Sequence, residues 1–429
     1  MLHMKMKPIC PLFIVFLLSI MLSAADSNPV IVKNELVLES GPGRYAQVRH
    51  IVLKGSYEQI GKALGEIARK DYKANLVKYA SPIYAKARLE YMKKNNPPMA
   101  QYMKGIAGAY GLSLENTDFD TSYLYYCMDS PKCSAVFFPA EISADGKNFY
   151  VSNRDYYTAG MSEIMGGEKK PGEIDFLSRL FVIETYPDNG YASIGIGGLD
   201  LLNTRIDSVN SKGLAVAVLE DDTLGMEHTN KDLSRQTGLT QYQTVRLIID
   251  TCATMDEAKQ VILNNKISTS MMPAHFIVAD SSGASFIYEC SPDDFSDRII
   301  DSAKGKPAVI TNNSVYQYPT VDKLPEPSKD DYDTFNRFRR LVNFVDSHKG
   351  KYTAEDGQKA MGLVFGRVDE ASEGGPHLLP LRTLYTTVVN IDEGKISVRF
   401  YQKDGKLDEK TRLHELIFTE PLEFQLKKQ

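Results

Sequence analysis

The stretch that decides the fold runs from Cys133 to Asp155, where residues 133–138 read CSAVFF and residues 148–155 read NFYVSNRD. Both runs are β-prone, and an Asp145-Gly146 turn lies between them, which is the pattern of a hairpin. In an antiparallel hairpin the start of one strand lies beside the end of the other. The sequence therefore predicts that Cys133 and Asp155 are neighbours, with a thiol next to charged side chains.

Taken alone, the hairpin is compatible with two interpretations of Cys133. Free cysteine is among the most buried residue types, so Cys133 would be an inert core residue. Alternatively, its thiol is a nucleophile with Arg154 and Asp155 at its side. The motifs in the rest of the chain favour the second interpretation.

The composition is that of a globular protein. Of the 429 residues, 43% are hydrophobic and 24% are charged, and the formal net charge is -5. The negative net charge and the scattered Lys and Arg argue against a nucleic-acid partner. The histidines are dispersed, and neither Cys-x-x-Cys nor His-x-x-x-His occurs. We therefore expect no metal and no cofactor.

Residues 1–25 have the pattern of a secretory signal peptide. Lys5 and Lys7 precede an apolar run over residues 11–22, and the small residues 23–25 follow as a cleavage zone. The run is shorter than the roughly 20 residues of a membrane-spanning helix, and no other segment approaches that length. We expect a secreted or periplasmic protein without a stable membrane span. A retained N-terminal anchor is the alternative.

The pattern of secondary structure changes at Cys133. Helix signals dominate residues 26–132, where Ser56 and Gln59 form a capping-box pattern and further helices are predicted over Ala74–Lys93 and Met99–Tyr110. Strand signals dominate from Cys133 to about Glu220, and they return further along the chain after two helical segments. Hairpins interleaved with helices predict an α+β fold of stacked sheets with helical layers.

Five short motifs follow one another in a fixed order. They are Cys133-Ser134 with Asn153-Arg154-Asp155, VNSKGL at 209–214, Thr311-Asn312, RFRR at 337–340, and a last hairpin from Thr383 to Phe400. In this order they resemble N-terminal nucleophile (Ntn) hydrolases of the acyl-coenzyme A:6-aminopenicillanic acid acyltransferase family. Choloylglycine hydrolases, penicillin V acylase and acid ceramidases are relatives of that family.

The resemblance implies a four-layer αββα sandwich over residues 133–429, preceded by a mainly helical leader over residues 26–132. Choloylglycine hydrolases carry almost nothing before their cysteine, so the leader favours the acyltransferase and ceramidase branches. The leader is expected to be cut off between Lys132 and Cys133 and to stay bound as a small subunit. A homo-oligomer is compatible with this organisation.

The resemblance also implies the chemistry. The Cys133 thiol would attack the Lys132 carbonyl, and the new α-amine of Cys133 would then serve as the general base. An α-amine has an ordinary pKa near 7.7–8.0, so no histidine is needed. The implied substrate is a linear non-peptide amide, such as a penicillin-like, N-acyl amino acid, bile-salt or fatty-acid amide.

Three partner residues follow from the same motifs. Asp155 would hold and orient the Cys133 amine. Asn312 would donate to the oxyanion of the tetrahedral intermediate, with the neighbouring Asn313 as the competitor for that role. Arg337 would lie near the cysteine and stabilise charge.

Two further residues complete the predicted site. Glu220 follows a strand, and relatives place it at the acyl site or oxyanion hole; Asp221 and Asp222 beside it favour an acidic loop instead. Many relatives carry an arginine three residues before the aspartate, where this chain has Ser152. Arg154 lies on the same face of the strand and is predicted to supply that charge.

Other interpretations stay open at this point. A thiol hydrolase that does not process itself would use His275 or His377 as base, and an exported binding protein would not use Cys133 at all. Cys127 would block self-cleavage if it paired with Cys133. The sequence does not decide whether Cys252 and Cys290 form a disulfide.

Overall fold

The computed structural model describes residues 30–122, 132–198, 201–202, 205–223, 237–268, 273–291, 294, 296–328, 330, 332–371 and 379–427. The predicted signal peptide, Cys127 and His377 lie outside these residues. Within the described ranges, no helix combines the length and apolarity that crossing a membrane requires.

The helices are α1 (Tyr57–Ile67), α2 (Pro82–Asn95), α3 (Pro97–Ala109), α4 (Met161–Ile164), α5 (Gln241–Thr251), α6 (Met255–Asn264), α7 (Thr334–Ser347) and α8 (Ala354–Gly362). The strands are β1 (Ile31–Leu38), β2 (Gln47–Gly55), β3 (Val77–Lys78), β4 (Phe119–Asp120), β5 (Lys132–Phe138), β6 (Phe149–Tyr157), β7 (Arg179–Pro187), β8 (Ser193–Gly198), β9 (Asp207–Asn210), β10 (Leu214–Glu220), β11 (Leu239–Thr240), β12 (Ile267–Ser268), β13 (Ala274–Asp280), β14 (Ser285–Cys290), β15 (Asp297–Asp301), β16 (Ala308–Ile310), β17 (Arg367–Ala371), β18 (Leu379–Asn390), β19 (Lys395–Leu407), β20 (His414–Phe418) and β21 (Leu422–Gln425).

Two large sheets form the centre of the molecule. The first sheet has nine strands in the order β1-β2-β7-β8-β9-β10-β13-β14-β15. The second sheet has eight strands in the order β16-β5-β6-β18-β19-β20, with β17 paired to β18 and β21 paired to β19. The hairpin that carries Cys133 is the β5–β6 pair, close to the edge of the second sheet.

The side chains of β5 show how the layers are built. Ala135 and Phe137 join the core between the two sheets, whereas Val136 and Phe138 pack with residues of α7 and α8 on the outer face. This alternation is the period of two that a strand imposes. A strand buried on both faces needs apolar residues at nearly every position, which explains the unbroken run CSAVFF.

Helices cover the outer face of each sheet. On the first sheet, β2 and β7 pack against α1 and α3, and β10 and β13 pack against α5 and α6. On the second sheet, α7 and α8 form the outer layer. The layers are therefore helix, sheet, sheet and helix, which confirms the predicted α+β class and αββα sandwich.

The segment before Cys133 is built into the first sheet. Strand β2 pairs in parallel with β7 from Gln47–Arg179 to Gly55–Pro187, and β1 extends the edge. Helices α1–α3 then follow, and the predicted capping box of Ser56 and Gln59 is confirmed at the start of α1. Helices α1–α3 supply most of the regular structure of this segment, and its two long strands complete the sheet on which these helices pack.

Two local predictions differ from the structure. The helix predicted to start at Ala74 begins at Pro82, because Val77–Lys78 forms a short strand with Phe119–Asp120. Proline suits the first helical position, where its missing N–H costs nothing. The connection between β5 and β6 is also longer than a two-residue turn, since it includes all residues from 139 to 148.

Candidate active site

The register of the β5–β6 hairpin assembles the centre of the site. Cys133 lies opposite Arg154, and Lys132 lies opposite Asp155. The start of β5 is thus beside the end of β6, as the sequence pattern predicts. The residue directly across from Cys133 is therefore Arg154, and Asp155 lies one position further along β6.

The Cys133 thiol is buried beside a cation. Its side chain is 1% exposed, and Arg154 Nη1 donates to Sγ over 2.8 Å. Burial raises the pKa of the Cys133 thiol to about 11, while the Arg154 guanidinium and the backbone N–H of Glu220 act to lower it. In the uncut chain the sulfur is therefore a protonated thiol closed to solvent, with thiolate-stabilising groups already in place.

The backbone of Cys133 is held on both sides. Its N–H donates to Asn312 Oδ1 over 2.8 Å, and its carbonyl oxygen accepts from Arg337 Nη1 over 2.6 Å. Arg337 Nη2 also donates to Asn312 Oδ1 at 2.8 Å, and Asn312 Nδ2 donates to the Glu220 carbonyl at 2.9 Å. Cys133, Asn312, Arg337 and Glu220 thus form one buried hydrogen-bond network.

The structure distinguishes between the two adjacent asparagines. The side chain of Asn313 accepts a hydrogen bond from Thr311 Oγ1 over 2.7 Å. The backbone N–H of Asn312 donates to Thr334 Oγ1 over 2.9 Å, which fixes the loop after β16. Asn312 is therefore the asparagine that faces Cys133.

Asp155 is buried next to this network but bonds to other groups. Its carboxylate accepts hydrogen bonds from Thr383 Oγ1 at 2.5 Å and from the Tyr332 hydroxyl. Burial raises the pKa of Asp155 to about 6, against the effect of these donors and of Arg337. In the uncut chain the Cys133 nitrogen bonds to Asn312, so a contact between Asp155 and that nitrogen stays a prediction for the processed chain.

The acidic run after β10 lies inside the protein. Glu220 is 5% exposed and Asp221 is 2% exposed, which differs from the solvated acidic loop that was the alternative. Asp222 follows, and its Oδ2 lies 2.8 Å from Lys132 Nζ. The backbone N–H of Asp222 donates to the Asn312 carbonyl oxygen over 2.8 Å, so this run abuts the network around Cys133.

Two site residues, Asp207 and Tyr242, were missed by sequence reasoning. Asp207 accepts from Ser152 Oγ at 2.7 Å and from the Tyr385 hydroxyl at 3.2 Å, and its charge faces Arg154. Tyr242 lies close enough to Glu220 and Cys133 for their charges to raise its pKa beyond the effect of burial. The sequence held one signal for Asp207, because a carboxylate inside a predicted strand needs a partner when it is buried.

His275, the described candidate for a histidine base, is placed differently. It is fully buried on β13, and its Nδ1 lies 3.3 Å from Glu289 Oε1. Burial lowers the pKa of His275, but Glu289, the charge of Asp221 and a backbone hydrogen bond to Thr311 together outweigh this effect, and the pKa is raised. Among the hydrogen bonds of the described residues, none joins His275 to Cys133.

The remaining thiols and metal-type ligands do not add to the site. Cys252 is a free thiol, so a Cys252–Cys290 disulfide is not present. Asp369, Asp404 and His414 are close enough together to resemble a metal site. Arg382 already forms ion pairs with both carboxylates, at 2.5 and 2.7 Å, so this cluster is an ordinary salt-bridge network.

Residues 143–378 match the model of the acyl-coenzyme A:6-aminopenicillanic acid acyl-transferase family. The match spans more than half of the chain. The protein belongs to this family. The matched region includes every candidate residue except Lys132 and Cys133, which precede it. The family supports an Ntn-type amide hydrolase or acyltransferase, and the resemblance seen in the motifs is confirmed.

Solved structures give weaker likenesses. A mutant conjugated bile acid hydrolase from Clostridium perfringens is 15% identical, with a TM-score of 0.44 over 69% of this chain and 97% of that chain. Penicillin V acylase from Agrobacterium tumefaciens is 17% identical, with a TM-score of 0.41 over 62% of this chain and 82% of that chain. No curated protein matches. The family assignment rests on the family match alone.

Proposed function

We propose that the protein is a secreted, self-processing cysteine Ntn hydrolase that acts on a linear non-peptide amide through a thioester on Cys133. One observation carries the proposal: the Cys133 sulfur contacts Arg154 while the N–H and C=O of the same residue are held by Asn312 and Arg337. Burying charged and polar groups is costly unless each forms hydrogen bonds. A cysteine that only fills the core would not need such groups around it.

Self-cleavage follows as an N-to-S acyl shift. The Cys133 sulfur bonds to the Lys132 carbonyl carbon, the C–N bond breaks, and the thiol proton passes to the nitrogen to leave an amine. Water then adds to the thioester carbon, the C–S bond breaks, and the sulfur regains a proton as Lys132 becomes a carboxylate. The reaction needs no cofactor, since water is the only co-reactant.

Turnover applies both stages of this chemistry to an external amide. The Cys133 sulfur bonds to the amide carbonyl carbon, the C–N bond breaks, and the amine leaves with the proton that the thiol has given up. Water then adds to the thioester carbon, the C–S bond breaks, and the acyl group leaves as a carboxylate. The freed α-amine takes the thiol proton, and a group with an ordinary pKa of about 8 is well matched to that task. Penicillin-like, N-acyl amino acid, bile-salt and fatty-acid amides are the candidate substrates. Transfer to a second amine uses the same thioester. Export away from coenzyme A favours hydrolysis over transfer.

The proposed division of the chain is a signal peptide over residues 1–25, a leader over 26–132 and a catalytic domain over 133–429. The hydrogen bonds between β2 and β7 are independent of the Lys132–Cys133 bond. They support a leader that stays bound after cleavage as a small subunit.

Intact mass and N-terminal sequencing of the purified protein test the proposal. We expect two fragments, the larger beginning at Cys133, and a single uncut chain for Cys133→Ala. Cys133→Ser should still cut slowly, because a hydroxyl makes the same acyl shift. Clean processing of Cys133→Ala would exclude the mechanism.

The same preparation separates the alternatives. A non-processing thiol hydrolase would remain a single chain, would react with thiol reagents at Cys133 and would lose amidase activity on His275→Ala. A binding protein would remain a single chain with an unreactive Cys133. Screening the processed protein against a panel of amides then identifies the acyl group.

A further inference from the structure

The residue before the proposed cleavage point is a buried lysine. Lys132 is 7% exposed as a whole, and its ammonium lies 2.8 Å from Asp222 Oδ2. Lysine is almost never buried without a charged partner, because removing an ammonium from water is costly. The side chain that precedes the nucleophile is therefore held in place by the carboxylate of Asp222.

Asp222 is fixed relative to the nucleophile. Its backbone N–H donates to the carbonyl oxygen of Asn312, and the side chain of Asn312 accepts from the Cys133 N–H. The Lys132 backbone is set by its register with β6. The position of the Asp222 backbone relative to Cys133 is thus set by hydrogen bonds through Asn312, and that of Lys132 by the β5–β6 register.

The chemistry connects this pair to substrate choice. In the proposed self-cleavage, Lys132 is the acyl group of the thioester on Cys133. In turnover, the acyl group of the external amide is bonded to the same sulfur. The space that the Lys132 side chain fills in the uncut chain is therefore the space into which an acyl chain extends.

We propose that Asp222 determines acyl specificity and that the enzyme prefers amides whose acyl chain carries a cation about one lysine side chain away from the carbonyl. This inference rests on the proposed function. The neighbouring carboxylates Glu220 and Asp221 belong to the same buried run and make the local potential more favourable for a cation. Arg154 and Arg337 are also near, but they are aimed at the sulfur and at the backbone of Cys133.

Three matched substrates test the inference on the processed wild-type protein. They are the p-nitroanilides of 6-aminohexanoic acid, hexanoic acid and adipic acid, which present a cationic, a neutral and an anionic chain of similar length. We expect kcat/KM for the cationic chain to exceed that for the neutral chain about tenfold or more, because a charge-assisted hydrogen bond is worth at least that factor. Equal or reversed rates would overturn the proposal.

Variants assign the preference to Asp222. Asp222→Asn should reduce the cationic-to-neutral ratio to near one, whereas Asp322→Asn, at a carboxylate that is 75% exposed, should retain the wild-type ratio. An unchanged ratio in Asp222→Asn would refute the assignment. If this variant remains uncut, the reversed pair Lys132→Glu with Asp222→Lys gives the measurement, and the preference should then pass to the anionic chain.

Different outcomes contradict the proposed function and the role of Asp222. A wild-type protein that is never cut at Cys133 contradicts the proposed function. A wild-type protein that is cut and hydrolyses amides, but without a preference for the cationic chain, contradicts only the role of Asp222.

Discussion

The guanidinium of Arg154 contacts the sulfur of Cys133 across the β5–β6 hairpin, with Nη1 at 2.8 Å from Sγ. The other terminal nitrogen donates to the Val218 carbonyl at 2.8 Å, so the arginine bridges the two sheets. Asp207 balances its charge from the first sheet. The nucleophile thus sits where a cation from its own hairpin meets carboxylates from the opposite sheet.

The first prediction concerns this cation. Arg154→Met should raise the pKa of Cys133 further, because the thiolate loses its stabilising charge. Each increase of about one unit in the pKa of the thiol lowers the thiolate fraction about tenfold at neutral pH. We expect self-cleavage after cell-free synthesis to slow about tenfold or more, with the pH–rate profile displaced to higher pH.

The exposed arginine Arg69 provides the control for that measurement. Arg69→Met should cleave at the wild-type rate with an unmoved profile. If Arg154→Met were slower at every pH by the same factor, the arginine would act through packing and not through the pKa of the thiol.

The second prediction separates the adjacent asparagines. Asn312 stays the predicted oxyanion donor, and on that prediction Asn312→Ala should slow self-cleavage by about 10²–10³-fold, the usual cost of losing such a donor. Asn313→Ala should change the rate only a few-fold, because the side chain of Asn313 faces Thr311. The rates are measured by the fraction of cut chain over time. Equal losses in the two variants would show that the loop, and not the Asn312 amide, is what matters.

The third prediction concerns the pH dependence of stability. The pKa of Asp155 is raised to about 6 in the folded chain, from an ordinary value near 4. Protonated Asp155 therefore favours folding, and this stabilisation is complete below about pH 4 and lost as the pH rises through about 6. The group contributes a decrease of about 3 kcal/mol in the free energy of unfolding over that interval.

Urea unfolding in the uncut Cys133→Ala background measures this effect. Asp155→Asn should remove that part of the pH dependence, so the difference between the two proteins should change by a few kcal/mol between about pH 4 and 7. Glu326→Gln, at an exposed carboxylate, should follow the parent at every pH. A constant difference between Asp155→Asn and its parent would contradict the raised pKa.

The fourth prediction concerns the loop that carries Asn312. Glu289 accepts from the backbone N–H groups of residues 315–316 at 2.6 and 3.0 Å and pairs with His275. Glu289→Leu should lower the free energy of unfolding by about 3–5 kcal/mol, the cost of breaking a buried ion pair from one side. Self-cleavage should slow as well, because the loop loses its anchor.

Glu289→Gln is the matched variant, since its amide oxygen still accepts from the backbone. We expect a smaller loss of stability, measured by thermal unfolding in the Cys133→Ala background. Equal destabilisation by leucine and glutamine would assign the effect to the ion pair with His275 and not to the loop.

Much of the fold could be predicted from the sequence because the deciding patterns are local. The run CSAVFF identified the first strand of the hairpin, and the Ser56–Gln59 capping box set the start of α1 within one turn. The predicted pairing within the β5–β6 hairpin needed only the adjacent strands and the antiparallel register. The extent of β2–β7 pairing was not predictable, since it joins segments more than a hundred residues apart.

The sequence by itself determined the two hairpins, the helical caps and the order of motifs around Cys133. These depend on alternation every two residues and on contacts three or four residues apart. The tertiary structure decided that Asn312 and not Asn313 faces the nucleophile, that Arg154 reaches the sulfur, and that Lys132 meets Asp222. These choices require the ends of both sheets to converge, because each contact joins side chains whose positions are set by packing and not by their neighbours in the chain.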